Sequence, residues 1–156
     1  MHRGSFFYNT HGRERVHNEF MPDGYHTATP YLMYRDAAGA LAFVKSVFGA
    51  VERMVHKDDD GVIRHAEFTI GDSAFMLAQE NKDFPELRSI EAFGGSPVQV
   101  FLYLEDVDSI AAKAVAAGAT LRYPVEEKPY GRSCGLEDPF GLIWWVSSPP
   151  AKNQVH

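Results

Sequence analysis

Hydrophobic and polar residues follow a pattern along this chain that occurs twice. In the first half, the apolar run Tyr31–Tyr34 precedes Asp36, a helix-capping residue type, and apolar residues then recur at helical spacing up to Gly49. Three strand-like segments come next, the first two joined by an acidic turn that ends in Asp-Gly: Val51–Lys57, Val62–Ile70 and Ala74–Ala78. The predicted order of elements is βαβββ.

The second half shows the same order. Val98–Leu104 is strand-like, a helix is expected to begin at Asp106 or Asp108, and Gly118 ends it. Thr120–Pro124 then predicts a strand, residues 126–129 a loop, Arg132–Leu136 a short strand, and the stretch GLEDPFGLIWWVSS a turn and the last strand. Asp36 and Asp106 lie 70 positions apart (106 minus 36). An internal duplication is the simplest explanation.

This pattern divides the chain into five segments within one structural domain. They are a flexible N-terminal extension (1–20), a first βαβββ module (21–80), a linker rich in Gly, Pro, Ser and charge (81–97), a second module (98–148) and a C-terminal tail (149–156).

Composition narrows the classes of partner. The 156 residues carry a formal net charge of -6, which provides no basic surface for nucleic acid and favours a small-molecule ligand. No apolar run is long enough to cross a membrane, and the N-terminus lacks a secretory signal, so a cytoplasmic location is expected. Cys134 is the single cysteine, and we expect a buried, unreactive thiol.

The paired modules and Asp138-Pro139-Phe140-Gly141 before the last strand together resemble the vicinal oxygen chelate superfamily, which includes glyoxalase I, bleomycin-resistance proteins and extradiol dioxygenases. The segments YHTATPYLMYRDAAGALAFVKSVFGA, HAEFTIGDSAFML and YGRSCGLEDPFGLIWWVSS are most similar to its PhnB-like subgroup. The resemblance spans Tyr25 to Ser148. It implies an α+β fold in which two tandem modules form a curved, partly open barrel-like sheet around a cleft, and it implies a homodimer.

The resemblance also implies four positions for ligands of a divalent metal, on the first and last strands of each module. In this sequence they are occupied by Thr29, Leu77, Gln99 and Trp145, and only Gln99 offers a suitable donor. We therefore expect no metal and no other cofactor at these positions.

The adjacent tryptophans Trp144 and Trp145 must point to opposite faces of the last strand. By the same alignment, Trp145 faces the cleft and offers a flat surface to an aromatic or apolar ligand, while Trp144 packs on the helical side of the sheet. In the alternative interpretation both rings are core residues without a ligand role.

His65 and Glu67 lie two positions apart on one strand, so their side chains leave the same face. They could form half of a relocated metal site that includes Gln99. Alternatively, one of the two could act as a base that its neighbour orients, and in a metal-dependent enzyme Glu67 could move a proton. The alternative is a polar pair on a solvated or dimer-facing surface. Counting from the hairpin turn places His56 across from Ile63.

Four further residues are candidates for contact with a ligand. Tyr130 and Arg132 lie near the last hairpin, where Arg132 could bind a carboxylate or phosphonate; the alternative is a surface arginine paired with Glu137 or Glu126. Phe101 and Tyr103 share a strand face with Gln99 and could line the cleft, or pack in the core.

Two function classes follow from these observations. The donors missing from the metal positions favour a protein that binds a small organic molecule in its cleft through Gln99, Phe101, Tyr103, Tyr130, Arg132, Trp145 and His65. The alternative is a metal-dependent lyase, isomerase or dioxygenase. The sequence leaves open whether the protein is an enzyme, because the fold does not determine the chemistry of its site.

Overall fold

The computed structural model describes residues 20–150 and has the predicted two-module plan. The first module consists of β1 (Tyr31–Tyr34), α1 (Ala37–Phe48), β2 (Val51–Lys57), β3 (Ile63–Ile70) and β4 (Ser73–Gln79). The second consists of β5 (Val100–Tyr103), α3 (Val107–Ala116), β6 (Thr120–Lys128), β7 (Gly131–Glu137) and β8 (Ile143–Ser148). A short helix, α2 (Ile90–Phe93), lies within the predicted linker. The predicted extension and tail lie almost wholly outside the described residues.

Each module forms a four-stranded mixed sheet with the same connectivity. The strand orders are β1-β4-β3-β2 and β5-β8-β7-β6, and in both sheets the first strand pairs in parallel with the last while the other pairs are antiparallel. The two sheets are separate and do not close into a barrel. The α+β architecture of two tandem modules is therefore confirmed.

The two long helices, α1 and α3, begin at aspartates expected to cap them. Asp36 accepts a hydrogen bond from the backbone of Gly39 at 2.9 Å, and Asp106 accepts one from Ser109 at 3.1 Å. Both bonds satisfy amide groups that a helix leaves unpaired at its first turn. Gly49 ends α1 in the left-handed conformation, with φ of 66°, which glycine adopts without steric cost.

The helices cover one face of each sheet, and the two modules pack together on this helical face. Trp144 of β8 is fully buried and lies against Phe48 of α1 and Phe75 of β4, with ring centroids 4.9 and 6.1 Å apart. Leu136 and Leu77 are fully buried as well. We call the opposite face of each sheet its open face.

Asp138 links the two modules from a buried position. Its Oδ1 accepts hydrogen bonds from the backbone of Phe140 (2.9 Å) and Leu142 (3.0 Å), and its Oδ2 accepts them from Trp144 Nε1 (2.9 Å) and Tyr34 Oη (3.4 Å). Burial raises the pKa of Asp138 above its ordinary value, although these hydrogen bonds oppose the shift. One carboxyl group thus joins β1 of the first module to the turn and last strand of the second.

The predicted loop at residues 126–129 is wrong, because β6 continues to Lys128. Glu126, Glu127 and Lys128 pair with Ser133, Arg132 and Gly131 of β7. The ladder has irregularities on either side of Tyr123, beside Pro124. Since β6 is the edge strand, a residue without an N–H group can lie in it at an irregularity, and the strand resumes beyond it.

Within residues 20–150, no helix is both long enough and apolar enough to cross a membrane.

The Asp138 contacts generate a prediction about stability. Asp138→Asn replaces one of two oxygens that each accept two hydrogen bonds, so buried donors would face an amide N–H group. We expect the free energy of unfolding to fall by about 2–4 kcal/mol, measured by urea denaturation at neutral pH. Tyr34→Phe removes one of the four donors and should cost only about 1 kcal/mol. Equal stability of wild type and Asp138→Asn would contradict the role given to this carboxyl group.

The pH dependence of the difference has a defined sign. A carboxyl group whose pKa is raised by folding binds its proton more tightly in the native state, so its contribution to stability falls as the pH rises from about 4 through the raised pKa. The stability advantage of wild type over Asp138→Asn should therefore decrease with rising pH across this window.

Candidate functional site

The two adjacent tryptophans lie on opposite faces of β8, as expected. Trp144 points into the core and donates its indole N–H to Asp138, whereas Trp145 is half-buried on the open face of the second sheet. The buried hydrogen bond of Trp144 fixes which of the two rings is turned inward. Trp145 is therefore available to a ligand on the open face.

Trp145 belongs to a line of aromatic side chains across the second sheet. The strand register places Tyr123, Gly135, Trp145 and Phe101 side by side on β6, β7, β8 and β5. Tyr123 packs on Trp145 with ring centroids 4.7 Å apart, and Tyr103 packs on Phe101 at 5.2 Å. We call Tyr123, Trp145, Phe101 and Tyr103 the aromatic row.

Gly135 makes the close packing of two of these rings possible. A Cβ atom at this position would lie 2.8 Å from a ring atom of Trp145 and 2.8 Å from one of Tyr123. The missing side chain lets both rings lie against the backbone of β7, so they form a continuous flat surface rather than separate projections.

Gln99, just before β5, is directly bonded to the aromatic row. Trp145 Nε1 donates a hydrogen bond to Gln99 Oε1 at 2.7 Å. These two residues occupy both of the positions in the second module where the resemblance implies metal ligands. The only donor atom expected there is thus engaged by an indole N–H group.

The first module does not supply a suitable donor set either. Leu77 is wrong as the counterpart of Trp145, because it is fully buried on the helical face opposite Ala66. Met76 takes the open-face position instead, between Glu67 and Tyr31. Within residues 20–150, no group of three or more His, Cys, Asp or Glu side chains is arranged to hold a metal ion. Thr29, Met76, Gln99 and Trp145 do not fit a divalent cation.

His65 and Glu67 take part in a chain of hydrogen bonds on the open face of the first sheet. Tyr31 Oη lies 3.0 Å from His65 Nδ1, and His65 Nε2 lies 3.0 Å from Glu67 Oε1. Tyr25 Oη donates to the other carboxylate oxygen of Glu67. The two predicted residues are therefore brought together, and each also contacts a tyrosine.

The segment before β1 is held over this chain by Arg53 of β2. The guanidinium group donates to the carbonyl oxygens of Gly24 and Asp23, both at 3.2 Å, and lies 4.3 Å from the centre of the Tyr25 ring. These contacts position Tyr25 against Glu67. His56 lies across from His65 in the ladder, and its predicted place beside Ile63 is wrong because the ladder is irregular between His56 and Lys57.

A cavity of about 1180 Å³ lies between the edge strands β1 and β5. Its walls include Tyr31 and Met33 from the first module and Gln99, Phe101 and Ile143 from the second. The cavity therefore brings one end of the hydrogen-bonded chain and one end of the aromatic row to the same space.

Arg132 lies on the other side of the second sheet, which corrects its predicted place in the cleft. It shares its strand face with the buried Cys134 and Leu136, and its guanidinium group pairs with Asp108 of α3 through two hydrogen bonds of 2.6 and 2.7 Å. A third bond reaches Glu127 at 2.9 Å. The bonds from Arg132 lower the pKa of Asp108, as expected for an engaged ion pair.

Tyr130 and Cys134 are also separate from the cavity. Tyr130 lies in the turn between β6 and β7 and is 53% exposed. Cys134 is buried on the helical face, and burial raises the pKa of its thiol. Such a thiol is a poor nucleophile, in agreement with its expected lack of reactivity.

Sequence reasoning missed four residues of these sites, namely Tyr25, Tyr31, Tyr123 and Gly135. Tyr123 and Gly135 form an aromatic–glycine pair across a hairpin, but only the register of β6 with β7 reveals that they face each other. Tyr25 contacts Glu67 from 42 positions away in a segment without regular structure. A search for aromatic residues opposite strand glycines could have found Tyr123, whereas no local signal identifies Tyr25.

Comparison with known proteins agrees with this architecture. Residues 25–146 match the profile of the Glyoxalase/Bleomycin resistance protein/Dioxygenase superfamily. An uncharacterized Mycobacterium bovis protein is 34% identical over 127 residues, covering 78% of this chain and 82% of that protein.

Solved structures give the same result. An Arabidopsis thaliana gene product is 26% identical and superposes with a TM-score of 0.65, covering 79% of this chain and 98% of its own. A Bacillus cereus PhnB protein is 19% identical with a TM-score of 0.61, covering 79% and 99%, and shows the fold alone. The chain described here belongs to the Glyoxalase/Bleomycin resistance protein/Dioxygenase superfamily.

Proposed function

We propose that this protein binds a small organic molecule with a planar aromatic ring, in the cavity between β1 and β5 and along the aromatic row. The observation that carries the proposal is the hydrogen bond between Trp145 and Gln99, at the positions where relatives would hold a metal. An indole and an amide that are bonded to each other provide a surface for a ring and no coordination site.

The chemistry of the row supports a stacked ligand. Phe101 and Tyr103 are 45% and 73% exposed, so a ligand ring can displace water from a large apolar area. Since the Gln99 carbonyl oxygen already accepts from Trp145, its NH₂ group is left to donate to an oxygen of the ligand. Apolar rings beside one directed polar group are typical of small-molecule sites.

Similarity to the PhnB-like subgroup supports a cleft for small organic molecules, and membership of that subgroup is part of this proposal. The alternative, a metal-dependent lyase, isomerase or dioxygenase, requires donors that Thr29, Met76 and Trp145 do not offer. We therefore place ligand binding without a metal first.

The first test is binding of para-nitroanisole, measured by equilibrium dialysis. Trp145→Ala removes the largest ring of the row and should weaken binding roughly tenfold, the effect of one aromatic contact and its buried area. Tyr130→Ala is the matched control, because Tyr130 is exposed but lies outside the row. Equal affinity in wild type and Trp145→Ala, or an equal loss in both variants, would refute the assignment of the row.

The second test concerns metal. Protein purified without an affinity tag and titrated with zinc, nickel, manganese and iron(II) is expected to take up no stoichiometric metal, as measured by elemental analysis after dialysis. Retention of one ion per chain, lost in His65→Ala or Glu67→Ala, would favour the metal-dependent alternative.

We also propose that the protein forms a homodimer in which the open faces of two copies lie opposite each other, with the ligand bound between them. Large apolar side chains are exposed on both of them, including Tyr31 (52%), Met54 (46%), Tyr103 (73%) and Tyr123 (53%). Monomeric proteins seldom leave such an extended apolar surface in water.

Light scattering coupled to size-exclusion chromatography tests the dimer. Wild type should elute with the mass of two chains, and Tyr103→Glu should shift the equilibrium toward one chain because it places a charge in the proposed interface. Val115→Glu is the control, since Val115 is 51% exposed on α3, away from the open faces. A monomeric wild type, or dissociation by the control alone, would argue against this interface.

A further inference from the structure

The hydrogen-bonded chain in the first module has a direction. A carboxylate only accepts hydrogen bonds, and a neutral imidazole donates from one nitrogen and accepts at the other. If Glu67 is ionised, His65 Nε2 donates to it, and Nδ1 is left to accept the hydroxyl proton of Tyr31. The order carboxylate, imidazole, hydroxyl is the arrangement that activates an O–H group for proton transfer.

Solvent exposure increases along the chain from Glu67 through His65 to Tyr31. The side chains of Glu67 and His65 are 15% and 26% exposed, whereas Tyr31 is 52% exposed and lines the cavity. Tyr31 lies on the edge strand β1, and its ring meets the His65 ring edge-on at 5.4 Å with an interplanar angle of 87°. Tyr31 is therefore the one residue of the three that lines the cavity.

Tyr25 and Arg53 hold the Glu67 end of the hydrogen-bonded chain in place. The Tyr25 hydroxyl occupies the Glu67 oxygen that does not face His65, and Arg53 holds the backbone of Gly24 and the ring of Tyr25. A carboxylate held on one side presents its other oxygen to the imidazole in a constant orientation, as a positioning residue must.

We propose that Glu67, His65 and Tyr31 form a proton-transfer site for aromatic ligands that carry an acidic hydroxyl group, such as phenols. This inference rests on the proposed binding of an aromatic ring in the same cavity. The ligand hydroxyl gives its proton to Tyr31 Oη as Tyr31 gives its own proton to His65 Nδ1. Two O–H bonds break, one O–H and one N–H bond form, and the products are a ligand oxyanion and an imidazolium cation beside the Glu67 carboxylate.

Each residue has a distinct role in this step. Tyr31 touches the ligand, His65 receives the proton, and Glu67 orients the ring and stabilises its positive charge. Gln99, in the wall of the same cavity, can donate its NH₂ group to the ligand. The site would thus favour ionised phenols over ethers of the same shape.

A pair of matched probes separates ring binding from proton transfer. Para-nitrophenol has an acidic hydroxyl group and changes its absorption when it ionises, whereas para-nitroanisole has the same ring without that proton. Wild type should bind para-nitrophenol roughly tenfold more tightly than para-nitroanisole, the gain expected from a charge-assisted hydrogen bond. The bound para-nitrophenol should absorb as the phenolate in buffer that keeps the free probe mostly protonated.

Substitutions then test the individual residues. His65→Gln and Tyr31→Phe should each remove the phenolate absorption and lower the ratio of para-nitrophenol affinity to para-nitroanisole affinity from about ten to about one. His56→Gln is the matched control, since His56 lies across from His65 but has no part in the chain. An equal loss in His56→Gln would attribute the effect to general charge and overturn the proposal.

A nitrogen NMR measurement on the wild-type protein avoids any dependence on how the variants fold. His65 should be protonated at Nε2 and not at Nδ1 in the free protein, and at both nitrogens when para-nitrophenol is bound. Protonation of Nδ1 in the free protein would overturn the proposal. If both probes bind with equal affinity and bound para-nitrophenol is not ionised, the proposed proton transfer is refuted but the proposed ring binding is supported. If neither probe binds, both proposals are refuted.

Discussion

The buried carboxyl group of Asp138 is the contact on which the arrangement of the two modules depends. Four donors converge on its two oxygens, from the turn before β8, from Trp144 and from Tyr34 of the first module. Buried donors must find acceptors, so the turn, the strand that follows and the neighbouring module are constrained together. With Trp144 drawn inward by this bond, the strand geometry turns Trp145 outward.

The two modules have equivalent sheet surfaces, and the side chains on these surfaces differ. Across the first sheet the open face carries Met54, Glu67, Met76 and Tyr31 at the register positions that Tyr123, Gly135, Trp145 and Phe101 occupy in the second. One surface is therefore hydrogen-bonding and ionisable, while the other is flat and aromatic. The cavity between β1 and β5 is lined by Tyr31 from the first surface and by Phe101 from the second.

Side chains alternate between the two faces of a strand, and this alternation explains which predicted site residues lie on the open face in the structure. Phe101, Tyr103 and Trp145 lie on the predicted open face because the local pattern of buried and exposed residues is regular. Leu77 is one residue away from Met76, the actual counterpart of Trp145, and neighbouring strand residues point to opposite faces of the sheet. Arg132 was predicted to reach the cleft because it lies near the last hairpin. Since β6 and β7 pair along this stretch, its side chain points to α3 instead.

The sequence by itself determined the two modules, the helix caps, the superfamily and the opposite orientations of the two tryptophans, because these depend on local periodicity and on short motifs. Only the tertiary structure decided that Gln99 is bonded to Trp145, that Gly135 lies beneath two rings, and that Tyr25 and Tyr31 complete the contacts of Glu67 and His65. Those contacts join residues up to 46 positions apart, and their existence depends on register, strand edges and packing between elements. The sequence pattern shows which residues of a strand share a face, but it does not show which residues of other elements lie against them.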